Sequence, residues 1–256
     1  MNKEAILNSI IKAREISKKR KFPQTFDLVI NLKDINLKKP DENINTYVTL
    51  PFSTGKKVKI CGLVGPELQT SAKQLLDKVI TNEEFPEYHD KKLIKRLARQ
   101  YDYFVAQADL MSKVASTFGK VFGPKQKMPD PKAGCVIPSV ADLKPFIVKL
   151  AKQVRLQTKN EAIIKCAVGS EEMKDEEIET NITTVYQASI HNLKEGEKNI
   201  AKVYLKLTMG TPIEITDKGP IVKKKEVKEK KKKVGKIKEK KETKEEEKLE
   251  TRENKK

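Results

Sequence analysis

Tryptophan is absent from this 256-residue chain, and aromatic residues make up only 5% of it. A platform of several rings on which successive bases stack is therefore not expected. Histidine occurs twice, as His89 and His191, in separate polar stretches with no Cys or carboxylate at ligand spacing. Neither a metal site nor histidine catalysis is expected from them. The three cysteines, Cys61, Cys135 and Cys166, are far apart and form no CxxC pair. They read as reduced, mostly buried thiols of a reducing compartment. No run of about eighteen apolar residues and no signal-peptide pattern is present, which predicts a soluble, intracellular protein without membrane contact. No P-loop appears, no serine has a GxSxG context, and Gly62 and Gly65 do not make GxGxxG. Carboxylates cluster at Glu83–Glu84 and Asp175–Glu177, at expected helix starts, where they serve as dipole and cap partners. An RNA-modifying enzyme would need an acid–base pair or a cofactor loop, and the sequence offers neither. The expectation is a protein with no enzymatic activity and no cofactor.

Positive charge is abundant. The formal net charge is +18 with 35% charged residues, a balance that favours nucleic acid, or less often an anionic membrane surface, as the partner. Residues 221–256 hold seventeen Lys or Arg against nine Glu and no aromatic residue. The stretch 219–256 is expected to be a disordered, lysine- and glutamate-rich tail, because it cannot bury enough apolar surface to offset its ordering entropy. The remainder is basic on its own account.

Along the chain, residues 2–20 have the spacing of an amphipathic helix, with Ile6, Ile10, Ala13 and Ser17 on one face and a basic end. Phe26, Leu28, Ile30 and Leu32 alternate as a strand, and a second strand runs from Ile44 to Leu50. From Val58 the texture changes. A mostly apolar strand, 58–64, precedes a helix with Leu68, Ala72, Leu75 and Val79 inside. A further helix carries Leu93, Ile94, Leu97 and Ala98, Tyr103–Ala106 is a short buried strand, and Asp109 is the expected cap of a helix through Phe118. Strands alternating with helices predict a layered βαβ domain with a parallel sheet. The loop 122–134 has three prolines and three lysines; it is either a structural turn closing that domain or an RNA contact. A helix over Leu143–Val154, a strand at Ile163–Val168 and a helix with Ile178, Ile182, Val185 and Ser189 on one face follow. The expected fold class is α/β with two domains. Residues 1–61 and 154–218 together form a split α+β domain, and 62–153 form an inserted Rossmann-like domain, with two crossings that act as a hinge.

The stretch that organises the function is Lys206–Ile215. A strand with lysines on one side, through Lys202, Tyr204 and Lys206, stops at Thr208-Met209-Gly210 and turns before a short strand at Ile213–Ile215. A hydroxyl, a flexible thioether and a bare backbone at a strand end can lie flat against a sugar-phosphate chain. The plain alternative is a β-turn with a glycine.

Three segments in order resemble the large-ribosomal-subunit stalk protein family called L-one, in its archaeal and eukaryotic branch. They are Lys19-Arg20-Lys21-Phe22 with the strand Asp27–Lys33, the stretch Phe118–Pro129, and Lys206 with Thr208-Met209-Gly210. The resemblance covers residues 1 to 216. It implies the split domain with a Rossmann-like insert, and a structural, non-enzymatic role. The partners it implies are large-subunit ribosomal RNA at a mobile stalk and deacylated tRNA at the exit site; in some members the protein's own messenger RNA is bound and its translation repressed. It further implies a cytoplasmic, ribosome-associated protein that is a monomer within the ribosome. Carried over by position, Phe22, Thr208, Met209 and Gly210 would lie on the RNA backbone and Lys21 and Lys206 would meet phosphates. A non-ribosomal RNA-binding regulator or assembly factor of the same fold is the alternative. Two departures are visible. Gln126 stands where the family usually has Gly, and Phe118 and Phe122 stand where it often has Leu. A turn without Gly must avoid positive φ there or accept strain.

Overall fold

In a computed structural model of the chain, residues 1–37, 39, 42–139, 142–216 and 219–222 are described. Met1–Ile221 form one compact unit. The tail expected from 219 onward lies, from 223, outside the described residues.

Helix α1, Lys3–Ile16, opens the chain. Strand β1, Thr25–Leu32, buries every second residue, Phe26, Leu28, Ile30 and Leu32, as its alternation requires. β1 lies centrally between two antiparallel neighbours, β8 (Ile163–Ser170) and β9 (Ile200–Leu207), and β10 (Ile213–Ile215) pairs with the far side of β9. α1 and α6, Asp175–His191, contact each other and strands of this sheet. Ile6 and Ile10 of α1, and Ile178, Ile182 and Val185 of α6, are fully or almost fully buried. The other sheet face carries the alternate residues, including Thr25, Asp27 and Lys206.

The middle of the chain builds a second, all-parallel sheet in the order β4–β3–β5–β6, from β4 (Lys78–Thr81), β3 (Ile60–Val64), β5 (Tyr103–Gln107) and β6 (Val136–Ile137). Every residue of β3 is buried, as expected of a strand covered on both faces. One hydrophobic cluster includes Ile94 and Leu97 of α3 (Lys91–Gln100) with Phe118 and Phe122 of α4 (Met111–Phe122). A second joins Leu68 and Ala72 of α2 (Pro66–Leu75) with Leu143 and Leu150 of α5 (Leu143–Lys152). The mixed α/β class with several sheets was expected, and the layered parallel arrangement with it. Phe118 and Phe122 stack on each other with ring centres 5.3 Å apart, and Phe104 meets Phe122 at 4.2 Å. The two phenylalanines are thus internal packing and not surface chemistry.

Between the sheets, β2 (Asn45–Thr49) and β7 (Gln153–Gln157) form an antiparallel ribbon. Four expectations are corrected here. Val79 belongs to strand β4 and not to α2, which stops at Leu75. Asp77 in the intervening turn instead accepts the Ile60 amide at 2.9 Å, tying the turn to β3. The helix expected to reach Val154 ends at Lys152, because β2 pairs with β7 from Gln153 onward. Asp109 does not cap α4: its carboxylate accepts from Gln107 and Ser139, and Leu110 holds the N-cap position without a side-chain bond. Lys18–Arg20 lie beyond α1, so of the basic residues only Arg14 meets its last turn. β4, of four residues, and β6, of two, are too short to give a periodic signal; their partners define them.

Candidate nucleic-acid interface

The antiparallel register of β1 and β9 pairs Phe26 with Leu207 and Asp27 with Lys206. One step further, Thr25 and Thr208 adjoin. The Thr208 amide donates to the Thr25 carbonyl at 3.0 Å, and their hydroxyls lie 2.8 Å apart. Two segments that are 183 residues apart in sequence are thereby fused into one edge. Beyond Thr208 the chain turns, closed by a bond from the Gly210 amide to the Leu207 carbonyl at 2.7 Å. Met209 stands at the tip with 61% of its surface exposed, and Phe22, three residues before β1, is 51% exposed. Both are large apolar side chains available for contact at this end of the sheet. Lys21 is exposed, and Lys206 is half-buried with its ammonium 3.8 Å from an Asp27 oxygen. Burial pushes the Asp27 carboxyl above the usual range, opposed by the Lys206 charge and by the Thr208 hydroxyl. Lys206 is therefore a partnered cation.

The six residues expected at the site fall on two neighbouring segments. Thr208, Met209, Gly210 and Lys206 share one turn and the strand leading to it, and Lys21 and Phe22 occupy the loop that leads into the neighbouring strand. Four others went unforeseen. Thr25 and Asp27 belong to the site through register alone. Ser17, at the end of α1, comes so close to Gly210 that a Cβ on Gly210 would lie 2.5 Å from its hydroxyl. Glu171 reaches the loop from the far end of β8 and accepts the Gln24 amide at 3.2 Å. The alternation of β1 could have suggested Thr25; nothing local announces the rest.

A second cationic region lies at the ribbon. A cavity of about 360 Å³ is lined, among others, by Lys56, Lys125, Lys127, Arg155, Tyr47 and Tyr103. The Arg155 guanidinium sits over the Tyr47 ring, 5.5 Å from its centre. Burial, helped by nearby Lys125 and Lys56 and opposed by Asp102, holds Lys127 below the usual lysine range. Gln126 projects here with φ of +55°, a left-handed conformation, and its side-chain oxygen accepts from Arg155 at 3.5 Å. The loop has thus accepted the strain that a glycine would avoid. A non-glycine residue in this region costs roughly 1–2 kcal/mol. Gln126→Gly is expected to raise stability by about 1 kcal/mol, after the greater freedom of glycine in the unfolded chain is set against the relief. Denaturant titration checks this; a loss of stability would mean that the Arg155 contact outweighs the strain.

The buried cysteines are chemically quiet: burial pushes the Cys61 and Cys166 thiols up to about 12 and Cys135 up to about 11. Both histidines are exposed. Among the described residues no group of His, Cys, Asp and Glu could hold a metal ion, and no helix is long and apolar enough to cross a membrane.

With this geometry in view, comparison with known proteins is direct. The family model described as the ribosomal protein L1p/L10e family matches residues 11–211. The chain is 38% identical over 215 residues to the large ribosomal subunit protein uL1 of Pyrococcus abyssi, covering 84% of this chain and 96% of that one. It is 40% identical over 213 residues to uL1 of Nanoarchaeum equitans, covering 82% and 98%. It is 36% identical over 231 residues to uL1 of Methanocaldococcus jannaschii, covering 90% and 100%. These relatives are ribosomal proteins by name and not enzymes, and the family match takes in β1, β9 and Thr208–Gly210: the chain belongs to the ribosomal protein L1p/L10e family.

Proposed function

We propose that the chain is a structural protein of the large ribosomal subunit that binds large-subunit ribosomal RNA through the edge formed by Phe22, Thr25 and Thr208–Gly210. The observation that carries this reading is the β1–β9 pairing, which brings the Thr25 and Thr208 hydroxyls together, with an exposed Met209 next to Thr208 and an exposed Phe22 in the loop that leads into β1. Such an edge offers donors and acceptors for 2′-hydroxyls and phosphates, apolar cover for sugars, and a backbone that can be approached closely at Gly210. Lys21 supplies a free cation, and Lys206 can exchange Asp27 for a phosphate.

The same reading makes 1–61 with 154–218 the RNA-binding domain and 62–153 the inserted one. Residues 61 and 62 both lie in β3, and 153 and 154 both lie in β7. The crossings are better set in residues 50–59 and at the junction of α5 with β7, with the β2–β7 ribbon as the hinge. The cationic cavity beside that ribbon would face exit-site tRNA, whose release the protein would aid. Repression of its own messenger RNA would use the first edge again, since an RNA that mimics the stalk presents the same surface. In this reading the protein is cytoplasmic, ribosome-bound and a single copy per ribosome. A non-ribosomal regulator of the same fold would differ in its RNA target and not in its edge.

The test is binding of the purified chain to a stalk RNA fragment and to a random duplex across a salt series. Discrimination that persists at high salt is expected, because shape and hydroxyl contacts do not depend on counterion release. Thr208→Val and Met209→Asp should each weaken target binding by about 1–3 kcal/mol, the scale of lost buried polar contacts, with the fold intact. Equal affinity for both RNAs, collapsing with salt, would remove the assignment.

A further inference from the structure

A carboxylate is an unexpected neighbour for a phosphate-binding loop. Yet Glu171 and Glu172 line the same cavity of about 390 Å³ as Lys19, Arg20, Lys21 and Phe22. Like charges disfavour the approach of phosphate, so a carboxylate placed here needs another role to offset that cost. The bonds of Glu171 supply one. Its side chain accepts the Gln24 amide at 3.2 Å, and its own amide donates to the Gln24 carbonyl at 2.8 Å. Gln24 is 1% exposed, and its side-chain amide donates to the Lys18 carbonyl at 3.3 Å. Gln24 thus closes the loop 18–24 across its base, and Glu171 holds Gln24 by two bonds. Glu171 is held in turn: the Arg14 guanidinium donates to the carbonyls of Glu171 and Met173 and to the Asp175 carboxylate.

From these contacts we propose that Glu171 is a positioning residue of the RNA interface, clamping Gln24 and thereby fixing the loop that presents Lys21 and Phe22. The inference rests on the edge around Phe22 being the RNA site. Preorganising a loop spares the ordering cost that binding would otherwise meet, so its loss appears as weaker specific binding. Simple electrostatics makes the opposite prediction: removing a negative charge beside phosphates should tighten binding. The two roles therefore differ in sign.

The experiment measures target and random-duplex affinity for Glu171→Ala, Glu171→Gln, Phe22→Ala and the double variant Phe22→Ala with Glu171→Ala. Hydrogen exchange across residues 18–24 is followed in the free proteins. Glu171→Ala should weaken target binding about tenfold and speed exchange in 18–24, with exchange in β1 and β9 unchanged. Glu171→Gln keeps an acceptor for the Gln24 amide. It should hold target affinity within about twofold while binding to the random duplex rises. In the Phe22→Ala background the further loss from Glu171→Ala should shrink to about twofold or less, since only Lys21 is left for the loop to present. Unchanged or tighter target binding by Glu171→Ala, when Phe22→Ala itself weakens binding, overturns the positioning role and leaves the edge standing. If Phe22→Ala leaves target binding intact, the edge assignment falls and this inference with it.

Discussion

Gly210→Val should lower target RNA affinity about a hundredfold, or roughly 2.7 kcal/mol, while costing only about 1–2 kcal/mol of stability. The reason is space and not backbone freedom, since Gly210 is not among the glycines with positive φ. A Cβ at this position would lie 2.5 Å from the Ser17 hydroxyl and 3.3 Å from both Cβ and the carbonyl oxygen of Leu207. The hydroxyl can rotate away from a single methyl group. The Leu207 carbonyl cannot move, because the Gly210 amide is bonded to it at 2.7 Å and closes the turn. Alanine should therefore give an intermediate loss that Ser17→Ala largely restores. Valine should not be rescued, because its added methyls crowd both the turn and any RNA backbone drawn close to it. Affinities measured for Gly210→Ala, Gly210→Val and each combined with Ser17→Ala decide the matter. A valine variant within about twofold of the parent chain would mean that RNA does not approach this backbone.

The crowding of Gly210 was not legible in the sequence, whereas the residue type was. Thr208-Met209-Gly210 could be singled out because alternation through Lys202, Tyr204 and Lys206 stops there, and the turn before Ile213–Ile215 follows as expected. What crowds Gly210 is Ser17, at the end of a helix whose last residues the sequence misplaced. The apolar spacing of 2–20 runs on past the end of the helix, which falls at Ile16. Likewise, the alternation of β1 identified the strand and its buried face. Register with β9 and β8, including the irregularity between Phe26 and Asp27, depends on long-range pairing that no local pattern records. Glu171 illustrates the same limit. In sequence it is one of several carboxylates near a helix start; in the fold it is bonded to a loop 147 residues away. Gln126 is the converse case. The absence of glycine there foretold either a changed turn or strain, and the left-handed φ of +55° shows that strain was accepted.

Arg14→Leu should lower stability by about 3 kcal/mol and weaken target RNA binding in parallel. The guanidinium donates through Nε to Asp175 Oδ1 at 3.0 Å, through Nη2 to the Met173 carbonyl at 2.8 Å, and through Nη1 to the Glu171 carbonyl. It also lies over the buried Phe26 ring, 5.3 Å from the centre. One side chain of α1 thereby anchors the turn joining β8 to α6. Hydrogen bonds to a charged donor contribute roughly 1.5–3 kcal/mol each, but these are not additive and the site is partly wet. With 30% of the Arg14 and 35% of the Asp175 side chain exposed, the ion pair itself contributes little beyond its geometry. The carbonyl bonds dominate, so the loss should change little in high salt, unlike that of a surface ion pair. Arg14→Lys should recover about a third of the loss, since an ammonium cannot span three acceptors in a planar fork. For a unit of this size 3 kcal/mol corresponds to a fall of roughly 6–12 °C in Tm. Thermal unfolding at low and high salt tests the first claim. Binding of the folded variant to stalk RNA, below its transition, tests the second. A loss under about 1 kcal/mol would show that the turn holds itself, through the bond between Gln24 and Glu171 and the packing of α6. A full loss of stability with undiminished RNA affinity would instead separate the anchor from the interface.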